Sequence, residues 1–305
     1  MSAPVRSRAD RCPGLARPWL ADDGALVRLR LRGGLLPVPT LARLLDVAAT
    51  HGDGAVHLTR RANVQLRALP HHDGAVLDEV ADAVRATGLV PSASHELVRN
   101  YLLSPPAPDP AAAPAAAPAA RADLRGLLDD LDTAVCASPV LAGLSARFLL
   151  VLDDGRGDVV ARSGDLGLVA LSPDEGQLRV GDSWAPVVRL ADAVGALVAL
   201  AEAFVVARGA GPEAPWHVVE LPAAARADGG APLDHPLAAP TPPDPRLPAP
   251  TAPPPYDARH VAVPAGRLTA ATPLPVGDGD LVVTPWRSLV RLPAADPARP
   301  EGDPA

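Results

Sequence analysis

Two hydrophobic periods organise the first hundred residues. Residues 25–32 alternate apolar and polar side chains, which predicts a β-strand. Residues 40–50 have helical spacing behind Thr40, a residue type that can cap a helix. The same patterns predict three further elements, namely strands at 55–58 and 64–68 and a helix at 73–87. Strand, helix, strand, strand, helix is the order of an α+β half-domain.

A second α/β segment is predicted further along the chain. Residues 123–137 have leucines on one helical face, with Asp123 as the cap. A hairpin is predicted from residues 147–152 and 158–162, because the glycines between them allow a tight turn. Further elements are strands at 167–171, 177–180 and near 217–221, and a buried helix from Leu190 to about residue 207. Pro and Ala dominate residues 105–120, and Pro, Ala and Asp dominate 211–264, so both stretches are predicted to be largely unstructured.

Residues 58–67, Leu-Thr-Arg-Arg-Ala-Asn-Val-Gln-Leu-Arg, carry the strongest chemical signal. Read as a strand, they place four polar side chains on one face: Arg61, Asn63, Gln65 and Arg67. Guanidinium groups stay charged and match carboxylates, so this face suits an anion with several acidic groups. The alternative is an ordinary half-exposed antiparallel strand with a solvated outer face.

Composition narrows the range of functions. The chain has 305 residues, 48% of them hydrophobic, and a net charge of −7, which does not indicate a surface for nucleic acid. The N-terminal residues lack the apolar core of a signal peptide, and no uninterrupted apolar run has membrane-spanning length. We therefore expect a cytoplasmic protein without membrane or nucleic-acid partners. Cys12 and Cys136 are far apart and form no metal-binding motif, so no metal ligand is assigned.

The 58–67 segment resembles the "T-x-R-x-N-x-Q" segment of the nitrite and sulfite reductase ferredoxin-like half-domain. The "R-N" that closes that half-domain is similar to Arg99-Asn100. Four other short segments occur in the order of the precorrin-3B synthase branch of this superfamily, at 11–14, 144–148, 153–158 and 284–287. The resemblance spans most of residues 11–292.

The resemblance implies a domain organisation. Its predicted parts are a flexible N-terminus (1–20), a ferredoxin-like half-domain (21–104), a Pro/Ala linker (105–122), a middle α/β segment (123–222), a Pro-rich linker (223–262), a residual second ferredoxin-like half (263–293) and a tail (294–305). Residues 266–269 and 281–287 resemble the start and a middle strand of the second half. Between them the chain has Pro and Gly where the family has a helix, so we expect an incomplete second half.

The resemblance also implies a function and a site. The family reaction is an oxygen-dependent hydroxylation and lactone formation on a carboxylate-rich tetrapyrrole in cobalamin biosynthesis. Arg61 would be the catalytic residue, and the tetrapyrrole would contact Arg61, Asn63, Gln65, Arg67, Arg99, Asn100 and Arg147. Leu149 replaces a second basic residue of the family after Arg147.

The cofactors that the family uses distinguish the possible functions of this chain. The family implies a [4Fe–4S] cluster and iron or siroheme, but four thiolates hold such a cluster and this chain has two cysteines. A redox partner or a completing subunit is therefore a possible partner. Two other functions stay open: a non-catalytic or degenerate tetrapyrrole-binding module or subunit, and a relative of the siroheme-dependent sulfite or nitrite reductases.

Overall fold

A computed structural model describes residues 10–106, 119–221, 240–251 and 259–292. Residues 1–9 of the predicted N-terminal segment, most of the Pro/Ala linker, much of the Pro-rich linker and the tail lie outside these ranges. The four helices of the described residues are α1 (Val38–His51), α2 (Asp78–Arg85), α3 (Arg125–Ala137) and α4 (Leu190–Arg208). The strands are β1 (Trp19–Ala21), β2 (Gly24–Leu29), β3 (Leu35–Leu36), β4 (Val56–Leu58), β5 (Val64–Leu69), β6 (His71–His72), β7 (Ala75–Val76), β8 (Tyr101–Leu103), β9 (Leu150–Asp153), β10 (Leu166–Ala170), β11 (Glu175–Val180), β12 (Ser183–Arg189), β13 (His260–Ala262), β14 (Arg267–Leu268), β15 (Leu281–Val283) and β16 (Ser288–Arg291).

The first sheet is antiparallel, with strand order β1-β2-β5-β4-β14. Its apolar face packs with α1 and α2 in one buried core. The two predicted helices begin elsewhere than expected. Helix α1 begins at Val38, so Thr40 lies inside its first turn and does not cap it. Helix α2 begins only at Asp78, because the residues before it form the β6–β7 hairpin.

The second sheet has the order β12-β11-β10-β9-β8 and packs with α3 and α4 in a second core. The hairpin predicted from residues 147–152 and 158–162 is wrong. Strand β9 pairs in parallel with both β8 and β10, and residues 158–162 form no strand. The predicted strand near 217–221 is also wrong, since the backbone there forms a short 3-10 turn at Val218–Glu220. Strand β12 was not predicted.

The third sheet, with order β13-β16-β15-β3, repeats the plan of the first and exchanges an edge strand with it. Leu35 of β3 lies opposite Val282 of β15, and Arg267 of β14 lies opposite His57 of β4. Each half therefore supplies the last strand of the other half's sheet. As expected, no helix occurs between β14 and β15, where the described residues form loops and turns.

A turn is repeated in the two halves with the same hydrogen bonds. The amide of Thr59 donates to the Asn63 carbonyl at 2.9 Å, and the amide of Thr284 donates to the Ser288 carbonyl at 2.9 Å. The residue before the end of each turn has a positive φ, 55° at Ala62 and 59° at Arg287. The repeat and the mixed α/β architecture confirm the predicted α+β fold class.

Helix α4 is long and apolar enough to span a membrane by length and composition alone. One of its faces is buried in the core beneath the second sheet, through Ala193, Leu197, Leu200 and Phe204.

Candidate functional site

The polar segment at 58–67 does not form one continuous strand. Ala62 adopts a positive φ within the Thr59–Asn63 turn, and the strand begins at Val64. The prediction that Arg61 and Asn63 share a strand face with Gln65 and Arg67 is therefore wrong. The side chain of Asn63 is fully buried, and its Oδ1 accepts the backbone N–H of Leu31 at 2.8 Å.

Polar side chains do form a row in the first sheet, but the row runs across neighbouring strands rather than along one strand. Cross-strand pairing places Arg28, Gln65, His57 and Arg267 in one row. With the Gln65 carboxamide oxygen turned toward Arg28, Nε and Nη2 of Arg28 donate to it at 3.0 and 2.7 Å. Arg67 is exposed farther along the strand.

A ring of hydrogen bonds joins the turn to two other segments. Nη1 of Arg61 donates to the carbonyl of Arg147 at 3.0 Å. Nδ2 of Asn100 donates to the carbonyl of Ala146 at 3.0 Å, and Nε of Arg30 donates to Oδ1 of Asn100 at 3.1 Å. We call Arg28, Arg30, Arg61 and Arg147, with Asn63 and Asn100, the arginine cluster.

Arg28 and Arg30 were not singled out from the sequence. The signal was available, because the alternation of residues 25–32 puts Arg28 and Arg30 on the polar side of the predicted strand. Arg30 is only 3% exposed. Its other acceptors are the carbonyls of Pro13 and Arg28, at 3.3 and 3.5 Å.

The arginine cluster has more buried donors than acceptors. Three buried nitrogen atoms make no hydrogen bond among the described residues: Nη2 of Arg30, Nδ2 of Asn63 and Nε of Arg147. Nε of Arg147 has a charged neighbour in Asp10, so the donors without any partner of opposite charge are those of Arg30 and Asn63. An unpaired buried donor is costly, on the order of 1–3 kcal/mol. Two such donors in linked residues fit a ligand that brings oxygen acceptors, and carboxylates are the best match for guanidinium groups.

The pKa shifts of two arginines in the cluster agree with their burial close to other positive charges. Burial lowers the pKa of Arg30 to about 10, with a further lowering by the neighbouring charge of Arg28. Burial also lowers the pKa of Arg61, and the charges of Arg28 and Arg147 add to the effect. Both groups stay protonated at neutral pH. The cluster is therefore a partly desolvated concentration of positive charge in a chain of negative net charge.

The N-terminal segment covers one side of the arginine cluster. Asp10 Oδ1 lies 3.5 Å from Nε of Arg147, and Asp10 Oδ2 accepts the Ser145 hydroxyl at 3.1 Å. Cys12 is buried, and a thiolate there would raise the pKa of both Arg30 and Arg61.

Arg99 does not enter the arginine cluster. Its Nε and Nη2 donate to the two carboxylate oxygens of Asp132 on α3, at 2.7 and 2.5 Å. Burial lowers the pKa of Arg99, but the hydrogen bonds and charge of Asp132 outweigh burial and raise the pKa. This ion pair, which the sequence did not reveal, uses the carboxylate-binding edge of the guanidinium within the protein.

Three buried carboxylates gather at the end of β9 and in the loop that follows it: Asp153, Asp154 and Asp158. The oxygens of Asp153 accept three backbone N–H groups of this loop, from Gly155, Gly157 and Val159. The guanidinium of Arg156 lies 2.9 Å from Asp154 and 3.2 Å from Asp158. The carboxylates therefore close the loop around a cation that the chain itself supplies.

A cavity of about 620 Å³ lies at the far end of β8, beside α3. Two of the four arginines that line it have carboxylate partners. Arg32 lies 2.8 Å from Asp129, and Arg125 lies 2.5 Å from Asp123.

The two cysteines do not fit a [4Fe–4S] cluster. Cys12 lies in the N-terminal segment beside Arg30, whereas Cys136 lies on α3 beside Arg99. Two separated thiols cannot replace four thiolate ligands. The unpaired donors of the arginine cluster, in contrast, match carboxylate oxygens.

Comparison with known proteins defines the class of this fold. Residues 20–85 match the nitrite/sulfite reductase ferredoxin-like half domain. The structure of the Mycobacterium tuberculosis NirA protein has a similar fold, with a TM-score of 0.55 and 17% identity, over 95% of this chain and 60% of that one. Residues 20–85 are therefore similar to this half-domain, and the likeness to NirA concerns the fold.

Within this superfamily, the chain resembles the precorrin-3B synthase branch. A precorrin-3B synthase from a Sinorhizobium species is 40% identical over 62 residues, which are 20% of this chain and 14% of that protein. The resemblance seen in the sequence is confirmed at this level. The chain spans a small part of that curated relative and about three fifths of NirA.

Proposed function

We propose that this protein is an oxidoreductase similar to precorrin-3B synthase, which binds a carboxylate-rich tetrapyrrole at the arginine cluster. The observation that carries the proposal is the pair of unpaired buried donors on Arg30 and Asn63, beside the guanidinium groups of Arg61 and Arg147. In this proposal the ligand's acidic side chains complete these hydrogen bonds. The superfamily half-domain and the partial similarity to a precorrin-3B synthase support the reaction class.

The residues take distinct roles in this proposal. Arg61 and Arg147 contact the ligand's carboxylates, and Arg61 is the residue nearest the reacting part of the macrocycle. Asn63, Asn100 and Gln65 position the surrounding segments through the hydrogen bonds described above. Arg67 and Arg99, which the resemblance also assigned to the ligand, have less support, because Arg67 is exposed and Arg99 is paired with Asp132.

Binding of uroporphyrin, an octacarboxylate tetrapyrrole, tests the pocket. We expect Arg61→Ala and Arg30→Gln each to weaken binding about tenfold or more, because each removes a hydrogen bond between charged groups. Tryptophan fluorescence quenching or the shift of the porphyrin absorption band gives the dissociation constant. The matched control is Arg85→Ala, which removes an exposed arginine paired with Asp82 on α2. Equal affinity in all variants would overturn the proposed pocket.

Turnover separates the enzyme from a binding module. The proposed reaction is the oxygen-dependent hydroxylation and lactone formation on precorrin-3A, with reductant supplied, and mass spectrometry of the product measures it. A non-catalytic tetrapyrrole-binding module, or a subunit completed by a redox partner, is the second candidate. The separation of Cys12 and Cys136 favours it, because this chain alone cannot hold the family's cluster. Binding without turnover by the isolated protein would favour the second candidate. We place either activity in the cytoplasm.

A further inference from the structure

His217 and Asp165 form a pair with fixed geometry. Nδ1 of His217 lies 3.1 Å from Oδ2 and 3.2 Å from Oδ1 of Asp165. The Asp165 carboxylate is 2% exposed and also accepts the backbone N–H groups of Leu149 and Val218, each at 2.8 Å. A carboxylate fixed in this way keeps the proton of a neutral imidazole on Nδ1. The lone pair of Nε2 is then available on the other side of the ring.

This pair borders the arginine cluster. Trp216, the neighbour of His217, has its ring 4.6 Å from the guanidinium carbon of Arg147. Arg61 is bonded to the Arg147 carbonyl, and the charge of Asp165 raises the pKa of Arg61 against the larger effect of burial. The His217 side chain is 31% exposed. The imidazole is therefore held at the edge of the cluster and is open to a ligand.

We propose that His217 is the proton-transfer residue of the arginine cluster, oriented by Asp165. The inference rests on the proposed function and adds a role for a histidine outside the motifs of the half-domain. In the step, the Nε2–H bond of the His217 imidazolium breaks, its proton bonds to an oxyanion of the ligand, and the electron pair of the N–H bond stays on Nε2. Before the transfer, Asp165 stabilises the imidazolium, and Arg61 and Arg147 hold the ligand oxyanion. No oxidant or reductant is required.

A purely structural role for His217 would explain only the contact of Nδ1 with Asp165. Two backbone amides already hold the Asp165 carboxylate, and the segment at 217–221 is tied to it through the Val218 amide. An asparagine at position 217 could supply a donor near the place of Nδ1. Only an imidazole, however, adds a titrating nitrogen facing away from Asp165.

Several charged groups contact His217, its neighbours at 215–216 or Arg147, and they enter any dependence on pH. They come from its own segment, the 145–149 segment, the start of β10, the end of α4, the Thr59–Asn63 turn and the N-terminal segment. These groups are Glu220, Arg147, Asp165, Arg208, Arg61 and Asp10. A variant of His217 itself isolates its contribution from theirs.

Proton uptake on binding uroporphyrin tests the inference. Calorimetry in buffers of different ionisation enthalpy, between pH 6 and 8, measures the protons taken up per bound molecule. An anion bound beside an imidazole favours its charged form, so we expect the wild type to take up as much as about one proton more than His217→Asn. The control His72→Asn alters an exposed histidine that also lies beside an aspartate, 3.3 Å from Asp73. We expect this control to match the wild type.

Each result decides between the two proposals. A wild-type protein that does not bind uroporphyrin overturns the proposed function and this inference with it. Binding with equal proton uptake in the wild type and His217→Asn overturns only the role of His217. Nitrogen-15 spectra of the labelled wild type give a second readout that does not depend on a variant's folding. A neutral His217 protonated on Nε2 would also overturn the inference.

Discussion

Asp158 shows how single residues in this protein are shaped by burial. Its side chain is 1% exposed, and its carboxylate accepts the Ser104 hydroxyl at 2.6 Å. Burial raises its pKa from 3.8 to about 6, although Arg156 and Ser104 oppose the rise. The charged form is therefore less favourable in the native state than in the unfolded chain. Such a residue stabilises its loop most when it carries a proton.

The pH dependence of stability follows from this shift. Between pH 4 and 6 the native state binds more protons at Asp158 than the unfolded state, so this residue's contribution to the free energy of unfolding decreases as pH rises. Asp158→Asn keeps an oxygen for Ser104 and removes the titration. We expect the unfolding free energy of the variant, relative to wild type, to increase between pH 4 and 7 by up to about 3 kcal/mol. Urea denaturation at a series of pH values measures it.

A second variant serves as the control for this experiment. Asp82→Asn changes an exposed aspartate on α2 that pairs with Arg85. We expect its stability to follow the wild type closely over the same pH range. Parallel curves for wild type and Asp158→Asn would contradict the raised pKa.

At the scale of elements, the hydrophobic pattern predicted the helices and strands that depend on residues close in sequence. The helices α1, α3 and α4 and the antiparallel strands β2 and β5 follow their hydrophobic periods. The hydrophobic pattern did not predict which strands pair with β9, because parallel pairing joins strands that are distant in sequence. The Thr59–Asn63 turn was hidden as well, since an alanine at Ala62 gives no sign of a positive φ.

The residues of the candidate site were likewise predicted in part, whereas their contacts were not. The resemblance named Arg61, Asn63, Asn100 and Arg147, and the structure places them within one hydrogen-bonded group. It could not show that Arg99 pairs with Asp132, because that contact depends on how α3 packs.

The exchange of edge strands makes a prediction about Gly34. Its φ is +82°, and a Cβ atom there would collide with the backbone oxygen of Val283 on the exchanged sheet. Gly74 has nearly the same φ, +83°, with open space around it, and is the matched control. We expect Gly74→Ala to cost about 1 kcal/mol, the cost of the left-handed backbone, and Gly34→Ala to cost at least about 2 kcal/mol more. Thermal or urea unfolding of both variants measures the difference, and equal losses would contradict the close approach of the two halves.

At the scale of the whole molecule, the C-terminal strands are part of the first core rather than an appendage. Leu268, Leu281, Val283 and Leu289 are buried in the same cluster as the residues of α1 and β5. The residual second half expected from the sequence therefore has a structural task. It completes the sheet that carries Arg28 and Gln65.

A shortened chain tests this dependence. A protein ending at residue 251 lacks β14 and leaves β3 without its partner β15. We expect it to lose cooperative unfolding and to bind hydrophobic dyes, because buried apolar surface becomes exposed. A protein ending at residue 292 keeps every described strand and is the control. Cooperative unfolding of the shorter chain, measured by circular dichroism, would show that the first half folds alone.

The exchange of edge strands also determines when, during synthesis of the chain, the first sheet can be completed. Arg267 bonds to the backbone oxygen of Asp53, a residue 214 positions earlier in the chain. At roughly 5–20 residues per second, the ribosome needs about 10–40 s to make the stretch between them. Through that interval the edge of β4 is exposed on the nascent chain and can pair with other strands. The demand for chaperones in the cell should therefore depend on how quickly the stretch between Asp53 and Arg267 is translated.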